Sequence, residues 1–141
     1  MRRHALLITL LRLNALACWL ALIAVVMPRA WMDAAHRFLG LGPLPPGPVF
    51  DYLARTISYL YAALGGYAWL FSRDVPRYLP AIRYLACAYA LFGVVTFIID
   101  HHVGMPWFWR TGEGPFLVIV GLAMLALARN PGQPGNAAPS S

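Results

Sequence analysis

The amino-acid sequence predicts an all-α membrane protein, a four-helix transmembrane bundle with a short interfacial amphipathic helix between helices 1 and 2. The 141 residues are 60% hydrophobic and 11% charged, with a mean hydropathy of +0.62. Soluble domains are roughly 45–50% apolar and about 25% charged, so this composition suits a chain surrounded by lipid. The sequence also contains four long apolar segments, none of which alternates with the period of two that a strand requires.

The first three apolar segments are long enough to cross a hydrocarbon core of about 30 Å, which needs roughly 20 helical residues, and the fourth reaches a marginal span when it is extended to 112–129. We expect transmembrane helices at about 5–27, 52–71, 81–99 and 112–129. They form a single domain, 1–129, and the Pro-, Gly- and Ser-containing tail at 130–141 is predicted to be disordered. The first segment has the charged start of a signal peptide, but Arg12 interrupts it and it exceeds the usual length, so we expect it to remain as a helix.

An amphipathic helix is predicted at about 29–39. Its polar face carries Arg29, Asp33, His36 and Arg37, and its other face carries Trp31, Met32, Ala35, Phe38 and Leu39. A helix of this kind lies in the membrane interface. The Gly- and Pro-rich stretch 40–48 then forms a stiff return, and the basic, Pro-punctuated stretch 72–80 is predicted to be a tight inner loop.

The net charge of +6 is carried by eleven arginines and no lysine. The arginines stand singly at the ends of apolar runs, which is typical of membrane orientation and not of a nucleic-acid-binding face. With the N-terminus inside, the inner side holds Arg2, Arg3, Arg12, Arg73, Arg77, Arg83 and Arg129, and the outer side holds Arg29, Arg37, Arg55 and Arg110. This bias predicts a multi-pass protein of the plasma (inner) membrane with both termini in the cytoplasm.

Small residues predict which helices pack closely, because close approach of backbones drives association in lipid. They form ridges at Ser58, Ala62 and Gly66 in the second segment, and at Ala86, Ala90 and Gly93 in the third. We therefore expect the second and third segments to pack together, and we expect Gly66→Leu to loosen the bundle.

Four of the five acidic residues lie on the outer side of this topology, and they are Asp33, Asp51, Asp100 and Glu113. The candidate ligand-binding residues are Arg55, Asp100, His101, His102, Arg110 and Glu113. Asp100 ends an apolar segment, where the helix dipole disfavours an anion, so it needs a partner. Arg55 is the expected one.

Three interpretations of this outer cluster compete. It is a structural collar of ion pairs at the helix ends, a ligand or proton site in a shallow outward pocket, or a metal site formed by His36, His101, His102 and a carboxylate. Adjacent helical histidines point about 100° apart, and the spacing matches no zinc pattern, so we predict no metal site. The aromatic run 107–109 is typical of an interfacial belt, although such rings also stack on quinones or haem.

No motif in the sequence identifies a catalytic site. It contains no CxxC or CxxCH pattern, no Gly-rich nucleotide loop and no GxSxG. Cys18 and Cys87 lie inside apolar segments and are predicted to be small membrane-embedded hydrophobes. We predict no catalytic residue and no cofactor, and a protein that is not an enzyme.

Three stretches of the sequence resemble small, uncharacterised four-helix bacterial integral membrane proteins. They are "HRFLGLGPLP", "DYLARTISYLYAALGGYAWLFSRDVPRY" and "DHHVGMPWFWRTGEGPFLVIVG", and the resemblance covers most of 28–129. The features shared with these proteins are an arginine early in helix 2 and an outer segment before helix 4 that runs from an Asp to Glu-Gly-Pro. More distantly, size and helix count are similar to the DoxX-like group, some of which are described as oxidoreductase-associated membrane subunits.

The nearer group carries no established activity, so the resemblance transfers no catalytic residue, and two functions stay open. The first is a small non-enzymatic integral membrane protein of unknown specific activity, one form of which is an accessory subunit of a membrane complex. The alternative is a DoxX-like redox-associated or ligand-binding membrane protein that uses the outer cluster. The expected partners are the lipid bilayer and either another membrane protein or a second copy of the chain, with no nucleic acid.

Overall fold

The computed structural model describes residues 2–129, which form six helical segments and no strand within that range. They are α1 (Arg2–Leu20), α2 (Leu22–Val26), α3 (Arg29–Phe38), α4 (Pro48–Phe71), α5 (Val75–His102) and α6 (Trp107–Ala128). The all-helical prediction is confirmed for these residues. The tail predicted to be disordered, 130–141, lies outside them.

Three helical stretches are long and apolar enough to cross a membrane, and they are Arg2–Val26, Val75–His102 and Trp107–Ala128. α4 has 24 residues but is less apolar, because it carries Asp51, Arg55 and four tyrosines. Large apolar side chains cover the outside of the molecule; the exposed fraction is 79% for Val26 and 67% for Leu91. A surface of this kind indicates membrane association, since water would disfavour it.

The helices pack as two antiparallel pairs. α4 lies along α1 and α2, and α5 lies along α6, whereas α4 and α5 touch far less. The prediction that the second and third apolar segments pack together is therefore wrong. The small residues of the third segment contact α6 instead, and the second segment contacts α1.

The close contact on α4 is made by Gly65 and not by Gly66. A Cβ atom at Gly65 would lie 2.9 Å from the carbonyl oxygen of Ala15 and 2.9 Å from Cβ of Cys18, both on α1. A Cβ atom at Gly66 would meet nothing within 4 Å. The predicted role of Gly66 at the interface is wrong by one position, which on a helix is a rotation of about 100°.

Three helices begin several residues before their predicted starts. α5 begins at Val75, so the predicted loop 72–80 is reduced to 72–74. Asp74 caps this start by accepting a hydrogen bond from the backbone N–H of Arg77 at 3.2 Å. Pro76 is tolerated because the first turn of a helix needs no N–H donor. α4 and α6 likewise begin earlier, at Pro48 and Trp107.

The amphipathic helix predicted at 29–39 is present as α3, Arg29–Phe38. Its polar face is tied to the Gly- and Pro-rich return that follows. The Asp33 carboxylate accepts hydrogen bonds from the Leu44 backbone N–H at 2.7 Å and from Arg37 Nε at 2.8 Å. On the other face Met32 is buried, while Phe38 is 90% exposed, as expected of a helix that rests on an apolar medium.

Candidate functional site

The structure does not gather the six predicted outer residues into one pocket. Arg55 reaches across to the end of α2, where its guanidinium donates to the carbonyl oxygens of Val25 and, at 3.0 Å, Met27. These carbonyls have no partner within their own helix, so Arg55 caps that helix end. The predicted pair between Arg55 and Asp100 is wrong, because Arg55 is committed to the α2 terminus.

Asp100 lies near the C-terminal end of α5, and Arg110 lies near the N-terminal end of α6. The exposed fraction of Asp100 is 6%. Its Oδ2 atom and Nε of Arg110 are both buried without a hydrogen-bond partner among residues 2–129. The register of the two helices, in which Gly114 lies against Phe97, brings these two residues to similar heights. No ion pair joins them within the described part of the chain.

The other three predicted residues make local contacts or none. His101 Nδ1 lies 2.8 Å from the carbonyl oxygen of Phe97, one turn earlier, and its ring packs on the Phe97 ring at 4.2 Å between centroids. Glu113 accepts a hydrogen bond from Trp109 Nε1. His102 is exposed in the last turn of α5. The six candidate residues therefore do not share one set of contacts, and those with partners make local contacts near the helix ends.

The histidines of the proposed metal alternative are also kept apart. His36 Nδ1 lies 2.8 Å from the carbonyl oxygen of Gly42, in the return after α3. Across the described range 2–129, no three His, Cys, Asp or Glu residues lie close enough to hold a metal ion.

Arginines at helix ends instead form a set of clamps between neighbouring elements. Arg29 pairs with the Asp51 carboxylate and donates to the carbonyl oxygen of Pro45 at 2.6 Å. Arg83, near the start of α5, donates to the carbonyl oxygen of Ala128 at the end of α6, at 3.0 and 3.3 Å. The Arg29–Asp51 pair agrees with the structural interpretation of the predicted outer charges, and Arg83 makes a similar contact at the opposite end of the helices.

A cavity of about 560 Å³ lies between the two helix pairs. α1 and α4 form one side and α5 and α6 the other. No charged side chain lines it, and most of the wall consists of Leu, Ile, Phe and Ala side chains. Its polar groups come from Asn14, Cys18, Tyr61 and Tyr89. This combination of an apolar wall and a few polar groups is typical of a small-molecule site, and the volume lies within the usual range.

Three of these four polar residues form a connected set that bridges the two pairs. Asn14 Nδ2 on α1 donates to the Tyr89 hydroxyl on α5 at 2.9 Å, and Cys18 Sγ lies 3.6 Å from the same oxygen. Asn14 is near the middle of the stretch Arg2–Val26, and Tyr89 is near the middle of α5. The bridge is therefore far from both ends of the helices.

Asn14 and Tyr89 were not among the site residues predicted from the sequence. Asn14 could have been recognised from the sequence, because an uncharged amide in the middle of an apolar segment is costly in lipid unless it has a hydrogen-bond partner. Tyr89 carried no such signal, since tyrosine recurs along the second and third apolar segments. Cys18, predicted to be only a small hydrophobe, lines the cavity and contacts the hydroxyl of Tyr89. Comparisons with models of protein families, with curated proteins and with solved structures gave no match to this chain.

Proposed function

We propose that the chain is a small bacterial inner-membrane protein with four transmembrane helices and both termini in the cytoplasm. It binds a lipid-soluble ligand in the cavity between its helix pairs and performs no covalent reaction on it. The observation that carries this proposal is the uncharged cavity of about 560 Å³ with the Asn14–Tyr89 hydrogen bond inside it.

The packing supports a fourth span by α4. Its 24 residues extend about 36 Å at 1.5 Å per residue, which exceeds the hydrocarbon thickness of about 30 Å. It lies antiparallel to the apolar stretch formed by α1 and α2, so it shares their depth. The arginine bias between the two sides of the chain supports cytoplasmic termini.

The depth of the polar groups supports ligand binding over a purely structural role. In a bilayer, Asn14 and Tyr89 would lie near the midplane, where a polar group is costly and usually marks a functional path or pocket. A bridge needed only for packing would be closed off by side chains. Here it lines an accessible cavity instead.

The distant similarity to the DoxX-like group supports a role as an accessory subunit, because some of its members are described as oxidoreductase-associated membrane subunits. A subunit that binds a lipid-soluble molecule without converting it would hold that molecule for a partner in the same membrane. The redox-associated function implied by the DoxX-like resemblance would then belong to the partner. This form of the proposal predicts that a membrane protein co-purifies with the chain in mild detergent.

The test of ligand binding is extraction of the purified protein. Full-length protein from native membranes is extracted with organic solvent, and the extract is analysed by mass spectrometry. We expect a lipophile in a constant ratio to protein, retained by Cys87→Phe and lost in Ala88→Phe. Ala88 lines the cavity, whereas its neighbour Cys87 is exposed and does not line it.

Folding of each variant is checked by its thermal transition in detergent. Ala21→Phe, which fills the cavity from the α1–α2 side, serves as the second filling variant. Equal lipophile content in the filled variants and in Cys87→Phe would contradict the proposal.

A further inference from the structure

We propose that the cavity ligand is a neutral lipid-soluble molecule whose polar head is a carbonyl group, bound by the hydroxyl of Tyr89. This inference rests on the proposed ligand-binding function and names the chemistry of its ligand. It depends on which polar groups inside the cavity already have hydrogen-bond partners.

The cavity favours a neutral head over a charged one. None of its lining residues carries a formal charge. Arg55, the arginine closest along α4, is bound to carbonyl oxygens at the end of α2. Arg12 donates to Ser72 and lies over the Trp69 ring at 5.5 Å. A carboxylate or phosphate in the cavity would lose its hydration with no cation to offset the loss.

The hydroxyl of Tyr89 favours a hydrogen-bond acceptor. Its oxygen already accepts from Asn14 Nδ2 at 2.9 Å, so its own proton must point elsewhere. The other polar atom in contact with it is Cys18 Sγ at 3.6 Å, where either atom can donate, and a thiol sulfur accepts hydrogen bonds weakly. A carbonyl oxygen brought into the cavity would replace that contact with a stronger one. Asn14 fixes the orientation of the hydroxyl through the first bond.

A second donor lies on the opposite wall. Tyr61 on α4 lines the cavity, and its hydroxyl makes no hydrogen bond to another residue within 2–129. Phe92 and Phe116 line the same space, and aromatic rings favour edge or offset contacts with another flat ring. A ring that bears carbonyl groups and an apolar chain fits these features.

The test compares three probes of equal chain length with purified full-length protein in detergent. They are 2-decyl-1,4-benzoquinone, decylbenzene and decanoate, and binding is measured by isothermal titration. We expect the quinone to bind most tightly. Tyr89→Phe should weaken quinone binding by roughly 3- to 10-fold, the effect of one lost hydrogen bond, and should leave decylbenzene binding unchanged.

The matched control is Tyr84→Phe, since Tyr84 is on the same helix, is 78% exposed and does not line the cavity. It should bind all three probes as the unmodified chain does. Tightest binding of decanoate, or no loss of quinone affinity in Tyr89→Phe, would overturn the carbonyl assignment. So would failure of all three probes to bind.

These outcomes are distinct from failure of the proposed function. If decylbenzene binds as tightly as the quinone and Ala88→Phe abolishes both, the cavity is a ligand site without head-group recognition. If the quinone binds equally to Ala88→Phe and to the unmodified chain, it binds outside the cavity, and the proposed site itself is wrong.

Discussion

Gly93 on α5 and Gly114 on α6 face each other so closely that neither leaves room for a methyl group. A Cβ atom at Gly114 would lie 2.7 Å from the carbonyl oxygen of Gly93, and one at Gly93 would lie 2.6 Å from that of Gly114. Seven residues further along α6, Gly121 makes the same kind of approach to Ala86 and Ala90. The α5–α6 pair is therefore held by backbone contact, the mode that stabilises helix pairs in lipid.

Gly114→Ala should lower the free energy of unfolding by about 1–3 kcal/mol, the usual cost of overpacking. The added methyl group would meet backbone atoms of α5, which cannot move aside as a side-chain tip can. Gly112→Ala is the matched control, because a Cβ atom there meets nothing within 4 Å. Unfolding by denaturant in detergent, followed by circular dichroism, measures both. Equal effects at the two positions would rule out the close α5–α6 contact.

A neighbouring pair of glycines on α4 gives a sharper comparison. We expect Gly65→Ala to destabilise the protein, because its methyl group would lie 2.9 Å from the Ala15 carbonyl oxygen. We expect Gly66→Leu, which the sequence alone marked as disruptive, to be tolerated, because that position faces open space. The melting temperatures of the two variants in the same detergent show which substitution destabilises the protein more. A larger loss for Gly66→Leu would mean that α4 is rotated relative to this structure.

The helices could be predicted from the sequence, whereas their pairing could not. Apolar length and periodicity are local properties, and they located all the long helices and α3. The connections at 72–74 and 103–106 are both short, so each is compatible with an antiparallel pair. Choosing between those pairs depends on which faces fit closely. The ridge at Ala86, Ala90 and Gly93 was recognised as a contact surface, but nothing in its spacing identifies α6 as the helix that covers it.

The site was harder to predict because the prediction rested on charged residues, whereas the polar groups of the cavity are uncharged. Arg55 and Asp100 were paired in the prediction since both carry charge near one side of the membrane. Arginine has several donors and reaches carbonyl oxygens at a helix end as readily as it reaches a carboxylate. Asn14, a single amide in an apolar segment, was the more specific signal. Its partner, Tyr89, is 75 positions away in the chain and could be found only from the fold.

A double-mutant cycle should find Arg55 and Asp100 independent. Arg55→Gln should lower the free energy of unfolding by about 1–3 kcal/mol, because two carbonyl oxygens lose a charged donor. Asp100→Asn should cost little, since Oδ2 of Asp100 is buried with no hydrogen-bond or ion-pair partner to lose in the described range. The double variant should show the sum of the two effects within about 0.5 kcal/mol. A larger coupling energy between the two substitutions would support the predicted pair of Arg55 and Asp100.

The α3 return should respond to acid at Asp33. The Leu44 backbone N–H and the Arg37 side chain hold the pKa of this carboxyl below its ordinary value of 3.8. Because the folded pKa is lowered, the stabilisation is complete above pH 3.8 and is lost as pH falls through the folded value. The amide shift of Leu44, followed by NMR in micelles, should therefore titrate with a midpoint below 3.8. In Arg37→Gln the midpoint should rise, and a midpoint at or above 3.8 in the unmodified chain would exclude these contacts.

Reporter fusions should place the two ends of α4 on opposite sides of the membrane. The start of α4 is clamped to the end of α2 by Arg55 and to the start of α3 by Arg29–Asp51, so Gly47 should lie outside with Gly104. The connection 72–74 is too short to return through the bilayer, so α4 must end on the side where α5 begins, which is the cytoplasm in the proposed topology. We expect alkaline phosphatase to be active when fused at Gly47 or Gly104 and inactive at Arg73, with the reverse pattern for a fluorescent protein that folds only in the cytoplasm. Phosphatase activity at both Gly47 and Arg73 would mean that α4 lies along the membrane surface, and the cavity between two spanning pairs could not then exist.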